Sequence, residues 1–388
     1  MPSRRVLLVS NLWPPVLHGG AEMHAAELAV RLRERGHEVG ALTFGIDGPD
    51  VVASVRAWPY RTDEYADQSQ ARKLVFHALD VYRPATRRSV DAAIAEFAPD
   101  VVHTHAVAGL SSVVLSEPSR KGVGHVHTLH DYWLLCQRRS LTKRDGTVCE
   151  RRCTGCAIVS RARNTIVERH PPTIIHAVSQ AIADAHEERL AWTRSRMRIV
   201  PNPTNAAPRT TVRTDGRPVT FGFLGRFTVE KGLRTLVRAF AAASLPGARL
   251  VVAGDGPQRE QIEAERSSGV ELIGWVDEHA RTEFLSTIDC LVVPSEYPDP
   301  APLVVNEARA RCLPVIGARS GGIPELVSQR SEPLLFPAGD SAALAAQLER
   351  FARDPAAFVD DGIGDLMPWD HHLDLVEASY EDAAHAVR

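Results

Sequence analysis

Two cations and a glycine stand close together in the run Phe223-Leu224-Gly225-Arg226, which continues through Thr228 and Glu230 to Lys231-Gly232. Gly225 lets the backbone approach a ligand closely, Arg226 offers a planar fork for phosphate oxygens, and Lys231 adds a compact point charge. Such a set can hold a diphosphate and stabilise its departure. The plainer reading is a solvated helix start with ordinary surface cations. Two further loops, Gly254-Asp255-Gly256-Pro257 and Gly274-Trp275-Val276, follow the next strand-like runs, and each by itself is just a turn.

Cys136, Cys149, Cys153 and Cys156 share one segment with Arg138, Arg139, Arg144, Arg151 and Arg152, and Asp145-Gly146 reads as a turn within it. Four thiolates can close a tetrahedral zinc site, and Cys153-x-x-Cys156 has ligand spacing. A closed site of that kind staples a loop and leaves no position for substrate. Free thiols or a redox pair are the alternative. The arginines can recognise an anionic acceptor or simply face solvent. His103, His105, His125 and His127 alternate along strand-like segments, so each pair shares one side of its sheet and is expected to pack or hydrogen-bond there.

These groups need elements to position them. Val6–Ser10 is a short apolar run, followed by a loop rich in Pro and Gly and a helical pattern over 21–35 that Gly36 ends. Apolar runs at 38–44, 100–105, 123–129 and 174–178 alternate with helical patterns, as in a parallel sheet covered on both faces. After a polar stretch the alternation restarts, with strands at 219–224, 249–253 and 271–275 and helices at 229–243 and 257–266. The expected fold class is α/β, with two doubly wound, Rossmann-like parallel-sheet domains facing a cleft. The first domain spans 1–200 and includes the Cys-rich loop at 136–156. A linker follows at 201–217, a second domain at 218–368, and a C-terminal helix at 369–388 that crosses back to the first. In such sheets ligands bind beyond the carboxyl ends of the strands.

The run from Pro294 through Asp299 and Pro302-Leu303-Val304 to Glu307, followed by Pro314-Val315-Ile316 and Gly321-Gly322-Ile323-Pro324-Glu325, carries a specific resemblance. It resembles the donor domain of the retaining family 4 glycosyltransferases with the GT-B fold (glycosyl transferase group 1), whose signature is two acids separated by seven residues ahead of a helix. Asp299 and Glu307 have that spacing. The resemblance implies that Glu307 binds the nucleotide ribose hydroxyls, that the amides of Leu303 and Val304 meet the diphosphate, and that Asp299 contacts the transferred sugar. A carboxylate accepting vicinal hydroxyls and helix-start amides facing phosphate agree with those roles. The family usually has Glu at the position of Asp299 and Gly at that of Cys312.

The first half extends the likeness through His18-Gly19-Gly20-Ala21-Glu22 and His127-Thr128-Leu129-His130-Asp131-Tyr132-Trp133. Gly19 and Gly20 let their loop approach the donor phosphate or the acceptor, with a permissive turn as the plainer reading. In relatives a histidine at the place of His130 lies near the transferred sugar or the acceptor. The expected catalytic set is therefore His130, Arg226, Lys231 and Asp299. The donor-binding set is Gly19, Gly20, Gly225, Gly274, Leu303, Val304 and Glu307.

With 388 residues the chain exceeds one ordinary core, and 45 basic against 48 acidic side chains give no case for wrapping nucleic acid. No apolar stretch approaches the roughly 20 residues of a membrane span, and the start does not resemble a secretory signal, so a cytoplasmic protein is expected. The expected activity is transfer of a sugar from a nucleotide-diphosphate sugar to an acceptor hydroxyl, without a catalytic metal or other cofactor. The acceptor is a small molecule, glycan or lipid-linked compound. The basic stretch from Arg72 to Arg88 reads as a solvated helix, with peripheral membrane contact as the alternative. Two other functions stay open: a GT-B epimerase or phosphorylase, and a catalytically silent nucleotide-sugar-binding partner subunit.

Overall fold

The computed structural model describes residues 2–17, 19–64, 68–143, 145–149, 151–205, 218–327, 330–359 and 366–387. His18 and most of the expected linker, 206–217, lie outside them. The chain divides into two compact units, the first being Met1–Arg139, Arg151–Asn202 and Asp370–Arg388, the second Ser140–Glu150 and Pro203–Trp369. Residues 140–150 therefore group with the second unit, whereas the sequence places the whole 136–156 loop in the first. Thr142 bridges Val148 around the Asp145-Gly146 turn, and the tip of that turn lies against the second unit, where a side chain added at Gly146 would meet Val229.

The first unit holds seven parallel strands, β1 (Arg5–Val9), β2 (Glu38–Phe44), β3 (Val51–Val55), β4 (Val101–Thr104), β5 (Gly124–Leu129), β6 (Ile174–Ala177) and β7 (Met197–Ile199), in the order β3-β2-β1-β4-β5-β6-β7. Val6, Leu7, Leu8 and Val9 are all buried, as a central strand covered on both faces requires. Strand order reverses between β1 and β4. The helix Trp369–His385 turns a buried face of His372, Val376, Glu377, Ser379 and Tyr380 to this unit. Its Tyr380 hydroxyl meets His103 at 2.8 Å, its Ser379 meets His176 at 2.9 Å, and Glu377 meets His37 at 3.2 Å.

The second unit holds β8 (Thr220–Leu224), β9 (Arg249–Ala253), β10 (Val270–Gly274), β11 (Cys290–Val293) and β12 (Val315–Gly317), parallel and ordered β10-β9-β8-β11-β12. Its core alternates with the pleat, Cys290 and Val292 packing with Phe221 and Phe351 on one face, Leu291 and Val293 with Leu285 and Val305 on the other. Here the order reverses between β8 and β11. The fold is thus α/β with two doubly wound parallel-sheet domains. One expected element is broken: the helix read over 229–243 is a short 3-10 turn, Val229–Lys231, and then a helix, Leu233–Ala242. Gly232 separates them at φ 68°, where a side chain would run into the Pro294 carbonyl.

Candidate functional site

Ligands of open parallel sheets bind at the switch point, beyond the carboxyl ends of the strands where the order reverses. In the second unit that point lies between β8 and β11, the strands whose following loops carry Lys231 and Asp299. The Lys231 Nζ is 2.7 Å from Asp299 Oδ2, donates to the Tyr297 hydroxyl at 3.3 Å and stands 5.1 Å from the Tyr297 ring centroid. Ser295 Oγ donates to the same Asp299 oxygen at 3.1 Å. Asp299 is buried while Lys231 is partly exposed, so the anion anchors the cation at the rim.

Backbone bonds fix both loops. The Glu296 amide donates to the Glu230 carbonyl at 2.9 Å, and Thr235 Oγ1 donates to Glu296 Oε1 at 2.5 Å. The Gly322 amide donates to the Asp299 carbonyl at 2.8 Å. Gly321, at φ 55°, lies so close to the Asp299 backbone that a side chain would collide with it. Gly225 joins the same rim, its amide donating to the Ala253 carbonyl at 3.1 Å, while the Gly254 amide donates to the Gly274 carbonyl at 2.7 Å. Arg226 is exposed at the start of this loop.

Leu303 and Val304 open the helix Leu303–Arg309, whose first amides have no acceptor within the helix. Glu307 lies on it, paired with Arg281 Nη1 at 3.1 Å, and Arg311 Nη1 donates to the Glu307 carbonyl at 2.9 Å. Burial raises the Glu307 carboxyl above its ordinary value, against the pull of Arg281 and Arg311. Tyr297, Ser295 and Arg281 were given no role by the sequence. Arg281 sits on a separate helix, Glu278–Thr287, and nothing in its local spacing marks it as the partner of Glu307.

In the first unit His130 directly follows β5, His105 directly follows β4, and His24 lies in the helix Gly20–Glu34 that comes after β1. All three therefore gather at that sheet's own switch point. His105 Nδ1 is 3.2 Å from His130 Nε2, and the His24 ring centroid is 5.2 Å from that of His130. Burial, then the nearby histidines His127 and His372, pull the His130 pKa down to about 3, so its imidazole is neutral at physiological pH. Gly19 caps the same helix, and Gly20 is its first residue. His125 and His127 both face Thr104 Oγ1, at 3.1 and 2.9 Å.

Of the cysteines, Cys136, Cys153 and Cys156 lie in the first unit and Cys149 in the second. Cys153 caps the helix Thr154–Val167 by accepting from the Cys156 amide. That bond lowers its thiol pKa, whereas hydrogen bonding to Cys136 and burial push the Cys156 thiol far up. Among the described residues, one nitrogen from each of His24, His105 and His130 lies within 4.8 Å of the other two, a grouping of metal-type ligands. No helix of the described residues is long and apolar enough to cross a membrane.

The family described as "Glycosyltransferase Family 4" matches residues 18–207, and "Glycosyl transferases group 1" matches residues 218–354. The alpha-maltose-1-phosphate synthase of Mycolicibacterium smegmatis is 28% identical over 376 residues, which is 89% of this chain and 88% of that one. The structure resembles sucrose-phosphate synthase from Thermosynechococcus elongatus with a TM-score of 0.73 at 22% identity, covering 99% of this chain and 100% of the other. It also resembles Anabaena HepE, solved with UDP and glucose, with a TM-score of 0.68 at 17% identity over 98% and 100% of the two chains.

Proposed function

Since the chain belongs to the group 1 glycosyltransferases with the GT-B fold, we propose that it transfers a sugar from a nucleoside-diphosphate sugar to an acceptor hydroxyl with retention of anomeric configuration. The observation that carries this reading is the pairing of Lys231 with Asp299 at 2.7 Å, at the point where strand order reverses. An ammonium fixed there is suited to a diphosphate that gains charge as it leaves. The Anabaena neighbour solved with UDP and glucose supports a donor of this class.

In this reading the bond between the anomeric carbon and the diphosphate oxygen breaks, and its electron pair stays on that oxygen. Arg226, Lys231 and the amides of Leu303 and Val304 meet the new charge, with Gly225 and Gly274 leaving room at the rim. The cleavage draws on side-chain and backbone charge and on no metal. Glu307 accepts the ribose hydroxyls, and Asp299 holds Lys231 while contacting the transferred sugar. The acceptor hydroxyl attacks from the face the diphosphate leaves, and its proton passes to the departing phosphate oxygen. His130, a neutral imidazole, orients that hydroxyl by a hydrogen bond. Gly19 and Gly20 let their loop approach the donor phosphate or the acceptor.

A thermal-shift screen of nucleoside diphosphates and their sugars tests donor binding, because a ligand at about 100 times its Kd stabilises by about 2.7 kcal/mol. NMR of the product then reads the anomeric configuration. A chain that no nucleoside diphosphate stabilises does not carry this function. Tight donor binding with no transfer to any acceptor would instead identify a silent partner subunit.

A further inference from the structure

We propose that His24, His105 and His130 bind a divalent transition-metal ion of the zinc, cobalt or nickel type. The three imidazoles come from distant parts of the sequence, yet one nitrogen of each lies within 4.8 Å of the others. Their ring centroids form a near-regular triangle of 5.6, 5.2 and 5.4 Å. Imidazoles bound at about 2.0–2.1 Å to a tetrahedral ion would have centroids about 5.2 Å apart and nitrogens about 3.3 Å apart. His105 Nδ1 and His130 Nε2 stand at 3.2 Å.

The protonation pattern also fits. The Pro201 carbonyl accepts from His372 Nδ1 at 3.0 Å, so a neutral His372 keeps a lone pair on Nε2. His24 Nε2, 3.1 Å away, supplies the proton to it, which leaves the lone pair of His24 on Nδ1. A fixed acceptor for the second ring nitrogen is what orients a metal-ligating histidine, and His372 supplies one to His24. Between His105 Nδ1 and His130 Nε2 a single proton is shared. An ion in place of the shared proton would engage both rings at once. Burial holds His24 and His105 well below the ordinary histidine pKa, so protons do not compete for these lone pairs at neutral pH.

Three nitrogen ligands select borderline metals over Mg²⁺ or Ca²⁺ and leave a fourth tetrahedral position open. His130 is shared with the transfer reading, and because the test reads metal uptake with no turnover, the two fail separately. That test is titration of chelator-treated full-length protein with Co²⁺, followed by Zn²⁺ competition and metal analysis after gel filtration. The expected result is one equivalent of Co²⁺ with tetrahedral d–d absorption and no thiolate charge-transfer band. His105→Ala removes a ligand and should weaken binding by more than the roughly hundredfold lost with an outer partner, with far-UV circular dichroism checking the fold and His24→Gln replacing it should it not fold. Wild-type protein that takes up no stoichiometric Co²⁺ overturns the site. So does a spectrum with a thiolate band that Cys153→Ser abolishes and the histidine variants leave unchanged.

Discussion

Lys231 Nζ lies 2.7 Å from Asp299 Oδ2 and joins the loop after β8 to the loop after β11. The carboxylate side chain is 5% exposed and the lysine 28%, so the pair holds the ammonium at the surface. Lys231→Ala removes the charge and also strands a buried anion. Turnover should fall about 10²–10³-fold, the range for one lost transition-state donor, and Tm should fall as well. Arg226→Ala, at an exposed position, should lower turnover while leaving Tm unchanged. Steady-state rates and melting curves of the two variants check this, and near-normal rates in both would refute the leaving-group assignment.

Glu307 shares the 3.1 Å ion pair with Arg281 and stands on the helix that begins at Leu303. Glu307→Gln keeps the shape and removes the charge-assisted hydrogen bond to a ribose, worth about 1.5–3 kcal/mol. Calorimetry should find nucleoside diphosphate binding weakened about 10–100-fold. Inorganic pyrophosphate, which has no ribose, should bind variant and wild type alike. Equal losses for both ligands would place Glu307 at the phosphates.

Much of this was legible in the residues. The strand runs at 38–44 and 249–253 match the observed strands because buried parallel strands are continuous apolar segments with clear ends. The Asp299 and Glu307 spacing pointed to the rim where Asp299 meets Lys231. What escaped were partners set by tertiary contact: Arg281 for Glu307, Tyr297 for Lys231, and the meeting of His24 and His105 with His130. No local periodicity encodes which loops a crossover brings together. Cys312 is instructive, since its φ of 58° is the left-handed conformation for which the family's usual glycine is suited. The apolar period continues across Gly232, and the left-handed backbone there and the nearby Pro294 carbonyl, which demand the glycine, are set by the fold.

The first unit has a buried charge network whose removal should be costly. Asp80 accepts from Arg163 Nη2 at 2.5 Å and Trp133 Nε1 at 2.7 Å, and through its other oxygen from the Gly109 amide at 2.6 Å. Asp80 and Arg163 are 2% and 1% exposed. Breaking such a pair leaves an uncompensated charge, so Asp80→Ala should cost about 3–5 kcal/mol. Urea denaturation measures it, and a loss below about 1 kcal/mol, the value of a surface pair, would contradict the buried network.

Acid should unfold this protein early. Burial lowers the pKa of His24, His103, His105 and His125, and brings His127, His130 and His176 to about 3 and His186 and His372 to about 4. In the unfolded chain these groups titrate near 6.5. Below that pH the unfolded state binds protons that the native state refuses, so stability is lost as pH falls from about 6.5 towards 3–4. Each group contributes a slope of about 1.4 kcal/mol per pH unit. The raised carboxyls of Asp131 and Glu307 act in the opposite sense but are far fewer. Against a typical total of about 5–15 kcal/mol, unfolding should be complete within about two pH units below 6.5. Melting curves at successive pH values test this, and His125→Asn should flatten the slope by about 1.4 kcal/mol per pH unit. A Tm that holds constant from pH 7 to about pH 5 would mean that these imidazoles accept protons in the native state as readily as in water.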